Sequence, residues 1–384
     1  MRFRDFWETL LVFPFPSAIL DLTNMQQTDR EMTIMNMDLW IREQIATQNK
    51  KAMPLLSYPA VQQLFITVDR LVNSSTEMAL GVRLIADRYN MPFATTYMDL
   101  SVEAEAFGAK CTYHTDDIPT ITGQLISSQE EADALQIPEL GAGRTGKVLR
   151  ALGKTLTLVT DRPVFANCTG PFSMAGRLMD VNEILLLTYE EPELVHAVLE
   201  KCTQFLLKYI KAMKMMGANG VIMAEPLAGL MSPGPMQEFS SKYVRRIVDE
   251  LQDRDFVFCY HNCSNAIEKK VDGVIATGAK MFHFGDKADM WQLLNALPRD
   301  VIVMGNISPS AVFMCDSTDK MALDTQALLR KCMVFENFMI SSGCDITAAT
   351  PLENIDKFFE VVNLGYHKAK LWGQVNRYYT IPNV

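Results

Sequence analysis

Basic charge is in short supply. The 384 residues carry 36 Lys and Arg against 45 Asp and Glu, a net charge of −9 with histidine neutral. A nucleic-acid binder needs a basic surplus to neutralise phosphates, and an anionic membrane surface attracts the same surplus, so neither partner is expected. Cysteine is also sparse: 8 residues, none spaced as close pairs, which excludes a disulfide scaffold and points to reduced thiols in a cytoplasmic protein. No apolar run is long enough to span a membrane. The mildly apolar start, Met1–Leu20, is interrupted by Asp5, Glu8, Pro14 and Pro16, and no small-residue cleavage pattern follows, so no signal peptide is expected. Charged residues make up only 21% against 48% hydrophobic, which argues for a sizeable core and against disorder. Methionine is the exception to scarcity. Its 24 residues suit either an oxygen-poor cytoplasm, as in an anaerobe, or ordinary core filling.

What is present is a repeating unit: a short apolar run followed by a helical pattern. Eight such runs can be read, at Met53–Ser57, Phe93–Met98, Pro163–Cys168, Gly220–Ala224, Phe256–Tyr260, Lys280–Phe284, Val301–Met304 and Phe338–Ser342. Pro192–Met216, Gln237–Leu251 and Leu352–Lys370 are among the helical segments between and after them. Strands that alternate with helices pair in parallel, and eight units close into a barrel. The expected fold is α/β, a (β/α)8 TIM barrel over residues 51–384, with a helical extension over 1–50 and an insertion, 101–162, after the second strand.

In such a barrel, chemistry gathers where strands end. Asp99, Glu225, His261, Cys263, Asp286, Asn306 and Cys344 all fall there, although Asn, Gly and Asp also serve simple turns. His261-x-Cys263 sets an imidazole and a thiol one residue apart at one strand end. Both are zinc donors, and Cys344, at the end of the eighth strand, is the best third candidate. Cys111 lies in the insertion, Cys202 and Cys332 on helices, and Cys259 inside a strand. The alternative is a buried structural histidine and an inert thiol. Glu225 reads as a fourth ligand, an orienting group, a general base, or half of a salt bridge at the rim. His283 reads as a contact for a substrate or cofactor, or as a rim histidine satisfied by its neighbours. Gly141-Ala-Gly-Arg-Thr-Gly146-Lys147 imitates a phosphate loop, but Val148 stands where Mg²⁺ needs a hydroxyl and no buried strand precedes it, so a glycine-rich turn opening a helix near Lys147 is expected.

Several blocks together resemble the uroporphyrinogen decarboxylase superfamily. They are Met98-Asp99-Leu100 with Glu105-Ala-Phe-Gly108, Thr169-Gly-Pro-Phe-Ser-Met174, His261-x-Cys263, Gly305-Asn-Ile-Ser-Pro309, Ser341-Ser-Gly-Cys-Asp-Ile346 and Thr350-Pro-x-Glu-Asn-Ile355, and the resemblance covers roughly residues 50–375. The decarboxylases' Arg-Gln-Ala-Gly-Arg block reads Ser57–Gln62 here, their late histidine is Cys344, and their catalytic tyrosine falls at Arg177; of their active-site residues Asp99 is retained. Without the arginine fork a polycarboxylate substrate lacks its counter-charges, so heme-pathway decarboxylation is not expected. The His-x-Cys and Gly-Cys blocks instead resemble the zinc-dependent corrinoid methyltransferases of the superfamily, such as methylcobalamin:coenzyme M methyltransferases.

That resemblance implies zinc on His261, Cys263 and Cys344, with Glu225 and Asp99 as catalytic candidates and Asn306, His283 and Tyr58 as substrate candidates. It implies methyl transfer between a corrinoid, carried on a small corrinoid-binding protein, and a zinc-activated substrate such as a thiol. This chain has no Asp-x-His-x-x-Gly motif with which to hold the corrinoid itself. A small-molecule methyl donor or acceptor is the second partner expected, and a second copy of the chain is a candidate third. One alternative is an O-demethylase component with Tyr58, Phe107, Phe172 and Tyr260 lining an aryl pocket, unless those aromatics are core. Another is a zinc- or cobamide-binding accessory protein without turnover.

Overall fold

The computed structural model describes the backbone of residues 35–378, with side chains as far as His367. The expectation of a helical extension over 1–50 falls partly outside these residues. Its described part is one helix, Met37–Ala46, which Asn36 caps by accepting from the Leu39 amide.

Nine strands are described: β1 (Ala94–Thr95), β2 (Cys111–Thr112), β3 (Thr120–Ile121), β4 (Val164–Thr169), β5 (Gly220–Ala224), β6 (Val257–Asn262), β7 (Met281–Phe284), β8 (Ile302–Ile307) and β9 (Phe338–Ser342). Seven form one parallel sheet in the order β1-β4-β5-β6-β7-β8-β9, curled as in a TIM barrel. Strands β4–β7 and β9 are buried along their whole length, as parallel strands covered on both faces must be, and this is why they read as apolar runs.

The first expected run, Met53–Ser57, forms no regular ladder. It takes the eighth position by lying along β9: the Met53 amide donates to the Ile340 carbonyl at 2.9 Å, and the Leu55 amide to Ser342 Oγ at 3.1 Å. Pro54 removes a donor from this stave, which limits it to irregular pairing.

Alternation along the strands separates two cores. Met53, Leu55, Phe93, Phe165, Ile222, Ala224, Val257, Cys259, Met281, Ile302, Met304 and Met339 point inward. The helix Met37–Ala46 plugs the N-terminal end with Met37, Trp40 and Ile41, and Lys280 pairs with Asp38 at 2.6 Å. Six methionines belong to this inner cluster, which accounts for part of the abundance as filler of an irregular interior. Alternate residues such as Cys168, Val221, Met223 and Tyr260 face the helical shell.

The insertion, 101–162, holds a helix (Val102–Ala106), the antiparallel β2–β3 hairpin and the helices Gln129–Ala134 and Thr145–Leu158. The glycine-rich segment is the turn that opens the last of these. Gly141 and Gly143 have φ of 103° and 53°, and a Cβ on Gly143 would meet the Ala106 backbone at 3.1 Å.

Candidate metal centre

Strand geometry brings the soft donors together. Val257 and Cys259 point into the barrel, so His261, two and four residues on, does too, and Cys263 leaves at the same rim. Cys344 follows β9 by two residues. One donor atom from each of His261, Cys263 and Cys344 lies within 4.8 Å of the others. Nε2 of His261 is 3.6 Å from Sγ of Cys344. With zinc–nitrogen and zinc–sulfur bonds of about 2.0 and 2.3 Å, a tetrahedral edge between such donors spans about 3.6 Å, so the residues present fit zinc.

A hydrogen bond with Cys344 holds Cys263 below the ordinary thiol range, while that bond and burial push Cys344 up to about 12. A cation that takes both as thiolates displaces the thiol protons.

Two glycines let neighbouring loops close on the cluster. A Cβ on Gly285 would meet the Cys263 backbone at 2.6 Å, and one on Gly343 the Asp286 backbone at 2.5 Å. Asn306 pins the first loop: its amide donates to the carbonyls of Gly285 and Ala288 at 2.8 and 2.9 Å. This spends the donors expected to meet a substrate.

The other expected site residues fall elsewhere. His283 stands beside His261 in the β6–β7 ladder and is fully buried, with its nitrogens on His261 and Ser341 rather than facing a ligand. Burial, and then His261, hold its pKa well below the usual histidine value. Tyr58 is fully buried edge-on against Tyr97, and its ionisation is pushed far up by burial and then by Asp99. Phe107, Phe172 and Tyr260 are likewise buried in the outer core, so these four aromatics are core and not an aryl pocket.

Glu225 follows Ala224, an inward residue, and so turns outward. Its oxygens accept from the amides of Phe172 (3.2 Å) and Ser173 (2.5 Å), at the N-terminus of the helix Pro171–Met179. A Cβ on Gly170 would strike this carboxylate, which is why the helix begins on glycine. Burial raises the Glu225 pKa to about 7. The structure thus shows Glu225 capping a helix in the shell, and it is not among the residues that cluster as candidate metal ligands.

Asp99 is committed to an ion pair with Arg144, both almost fully buried. Arg144 also binds Glu105 at 2.6 Å and Ser101 Oγ at 2.5 Å, and its guanidinium lies 5.2 Å from the Tyr113 ring centroid. Burial opposes the charge of Arg144, but Asp99 and Glu105 outweigh it and raise its pKa. The spacing of the glycine-rich segment hid this role: Arg144 sits inside the sequence that imitates a phosphate loop. Three more groups went unassigned in the sequence. Glu103 is buried, accepts from the Thr169 amide and hydroxyl, and has a pKa raised by burial to about 7. Arg177 donates from Nε to the Leu100 carbonyl at 2.7 Å, and burial lowers its pKa. Asp345 carries a buried Oδ2 without a partner.

Two surface hollows of about 420 Å³ are lined by Trp291, Arg299 and Phe335 and by Lys51, Pro92 and Arg162. Most of these residues precede strands, at the end of the barrel opposite the cluster.

The model of the uroporphyrinogen decarboxylase family matches residues 65–364. The chain belongs to that family. Among its relatives, a methylcobamide:CoM methyltransferase of Methanosarcina mazei is 27% identical over 278 residues, covering 68% of this chain and 76% of that protein. A methylated-thiol–coenzyme M methyltransferase of the same organism is 25% identical, covering 68% and 70%. A uroporphyrinogen decarboxylase of Desulfotalea psychrophila is 26% identical, covering 70% and 78%. Identity therefore does not separate the two activities in the family. In fold, the chain is similar to a solved methyltransferase from Methanosarcina mazei, with a TM-score of 0.74, 19% identity and coverage of 86% and 98%. Among the described residues, no helix is long and apolar enough to cross a membrane.

Proposed function

We propose that this family member is a zinc-dependent methyltransferase that moves a methyl group between a corrinoid carried on a small partner protein and a thiol substrate. The observation that carries the reading is the convergence of His261, Cys263 and Cys344, three soft donors that leave a fourth position open. The names of two relatives, which specify methylcobamide, methylated thiols and coenzyme M, support it. So does the absence of the arginine fork from Ser57–Gln62.

Zinc, when bound there, supplies a Lewis acid that lowers the pKa of a substrate thiol and keeps it anionic at neutral pH. The chain's own residues do the rest. His261, Cys263 and Cys344 would hold the ion at the rim where β6 and β9 end. Asn306 fixes the Gly285–Ala288 loop against Cys263, and Gly285 and Gly343 permit the approach. The aryl-ether alternative loses its motivation, since the aromatics assigned to it are core.

The test is zinc content of anaerobically purified protein, wild type and Cys344→Ala, followed by an assay of free methylcobalamin with coenzyme M. About one zinc per chain, lost in the variant, and thiol-dependent loss of the methyl–cobalt absorption are expected. Wild-type protein that binds no zinc after reconstitution would overturn the reading. Zinc-loaded protein that fails to demethylate methylcobalamin with any thiol would leave the accessory-protein alternative.

A further inference from the structure

His283 is inside the barrel and fully buried. Its surroundings give it a definite set of partners. Nδ1 of His283 lies 2.8 Å from Nδ1 of His261, and Nε2 lies 2.8 Å from Ser341 Oγ. Ser341 Oγ is in turn 2.8 Å from the Met53 carbonyl oxygen.

The directions of these bonds can be worked out from one end. A carbonyl oxygen only accepts, so the Ser341 hydroxyl hydrogen points to Met53. The Ser341 oxygen is then left to accept, and His283 carries its hydrogen on Nε2. A neutral imidazole has one N–H, so Nδ1 of His283 is a lone pair, and the hydrogen between the two rings belongs to Nδ1 of His261. A second contact gives the same answer independently. Nδ1 of His261 also lies 3.3 Å from the His283 carbonyl, another pure acceptor. With its hydrogen on Nδ1, His261 presents its lone pair on Nε2, the atom that faces Cys344.

We infer that His283 is a positioning residue: with Ser341 and the Met53 carbonyl it locks His261 in the Nδ1–H tautomer and aims Nε2 at the cation site. The inference rests on the zinc reading for its purpose, but the tautomer exists without the metal. Its consequence is that His261 needs no proton rearrangement when zinc enters. It also ties the donor to the irregular stave Met53–Ser57, on the far side of β9.

Two measurements test it. The first uses zinc-free wild-type protein with ¹⁵N-labelled histidine, in which there are 5 histidines to resolve. Two-bond ¹H–¹⁵N correlations at pH 8 are expected to show the Nδ1–H form for His261, assigned by its loss in His261→Asn, and the Nε2–H form for His283. An Nε2–H signal for His261 would overturn the inference, whatever the zinc result. The second is zinc affinity by chelator competition. His283→Leu removes the ring acceptor and is expected to bind about 10–100-fold more weakly than wild type. His283→Asn, whose side-chain oxygen falls near the position of Nδ1, is expected to bind at least about fivefold more tightly than His283→Leu. Equal zinc affinity in wild type and His283→Leu would overturn the inference while leaving the zinc site intact. Wild type that binds no zinc would instead overturn the proposed function. If His283→Leu does not fold, Ser341→Ala serves: it is expected to release the His283 Nε2–H and mix the tautomers of both rings, and an unchanged spectrum would count against the relay.

Discussion

The two halves of the barrel mouth are built on different chemistry. Across β6, β7, β8 and β9, His261, Cys263, Cys344, His283, Asn306 and Ser341 meet through neutral hydrogen bonds and soft donors. Across β1, β4 and β5 stand the titratable groups Asp99, Glu103, Glu105, Arg144, Arg177 and Glu225, buried or half-buried, each paired with an ion or with hydrogen-bonding partners in the shell. The first half converges on the candidate cation site of His261, Cys263 and Cys344. The second satisfies itself: Arg144 answers Asp99 and Glu105, and two backbone amides answer Glu225. Reaction chemistry is expected on the soft side, and the ionic side is the frame that holds the insertion and the Pro171–Met179 helix in place.

Substitutions can break this division. The largest effect is expected from His261→Ala, which should weaken zinc binding on the order of 10³-fold by loss of one of three donors while leaving the urea midpoint of the zinc-free protein nearly unchanged. Chelator competition and a denaturation curve check both halves of that statement. Arg144→Met should do the reverse. It strands Asp99 and Glu105 in the interior and should cost about 3 kcal/mol or more of stability, with zinc stoichiometry preserved in the folded fraction. Adding Asp99→Asn should recover part of the loss, and an Arg144 or Asp99 variant that loses zinc without losing stability would erase the division.

The ionic side should also be visible in pH dependence. Glu103 and Glu225 titrate near 7 in the folded chain because burial disfavours their charge, against about 4.5 when unfolded. Between these values the folded state binds more protons, so stability is highest at the acidic end and falls as pH rises from about 4.5 to 7. The change is on the order of 3 kcal/mol per group. Urea unfolding of zinc-free protein at pH 5.5 and 7.5 captures about 2 kcal/mol of it per group, and Glu225→Gln should remove one of these two contributions. The smallest effect is expected from Asn306→Ala, about 1–2 kcal/mol from two carbonyls left without their donor, read by thermal melting.

How much of this was legible in the sequence follows the same division. Seven of the eight apolar runs became strands of the curled sheet, because parallel strands buried on both faces are written as continuous apolar residues. His261, Cys263 and Cys344 could be found because period-2 alternation and strand ends act locally. Glu225 could not be placed the same way: one more residue along β5 reverses the face, and the sequence does not say where the ladder stops. Arg144 was illegible because its partner Asp99 is 45 residues away, across an insertion with no periodic signal. His283 could be located but not understood, since its meaning lies in the direction of three hydrogen bonds from three different strands or staves.

The eighth stave bears on how the chain is made. Met53–Ser57 is among the first parts of the barrel to leave the ribosome, yet the groups that hold it, Ile340, Ser341 and Ser342, are among the last. Until β9 emerges, the growing chain is an open sheet that shows its methionine-rich inner face and has nothing to close against. Such a chain depends on shielding during synthesis for most of its length, and closure of the barrel and completion of the Ser341–His283–His261 relay arrive in the same moment.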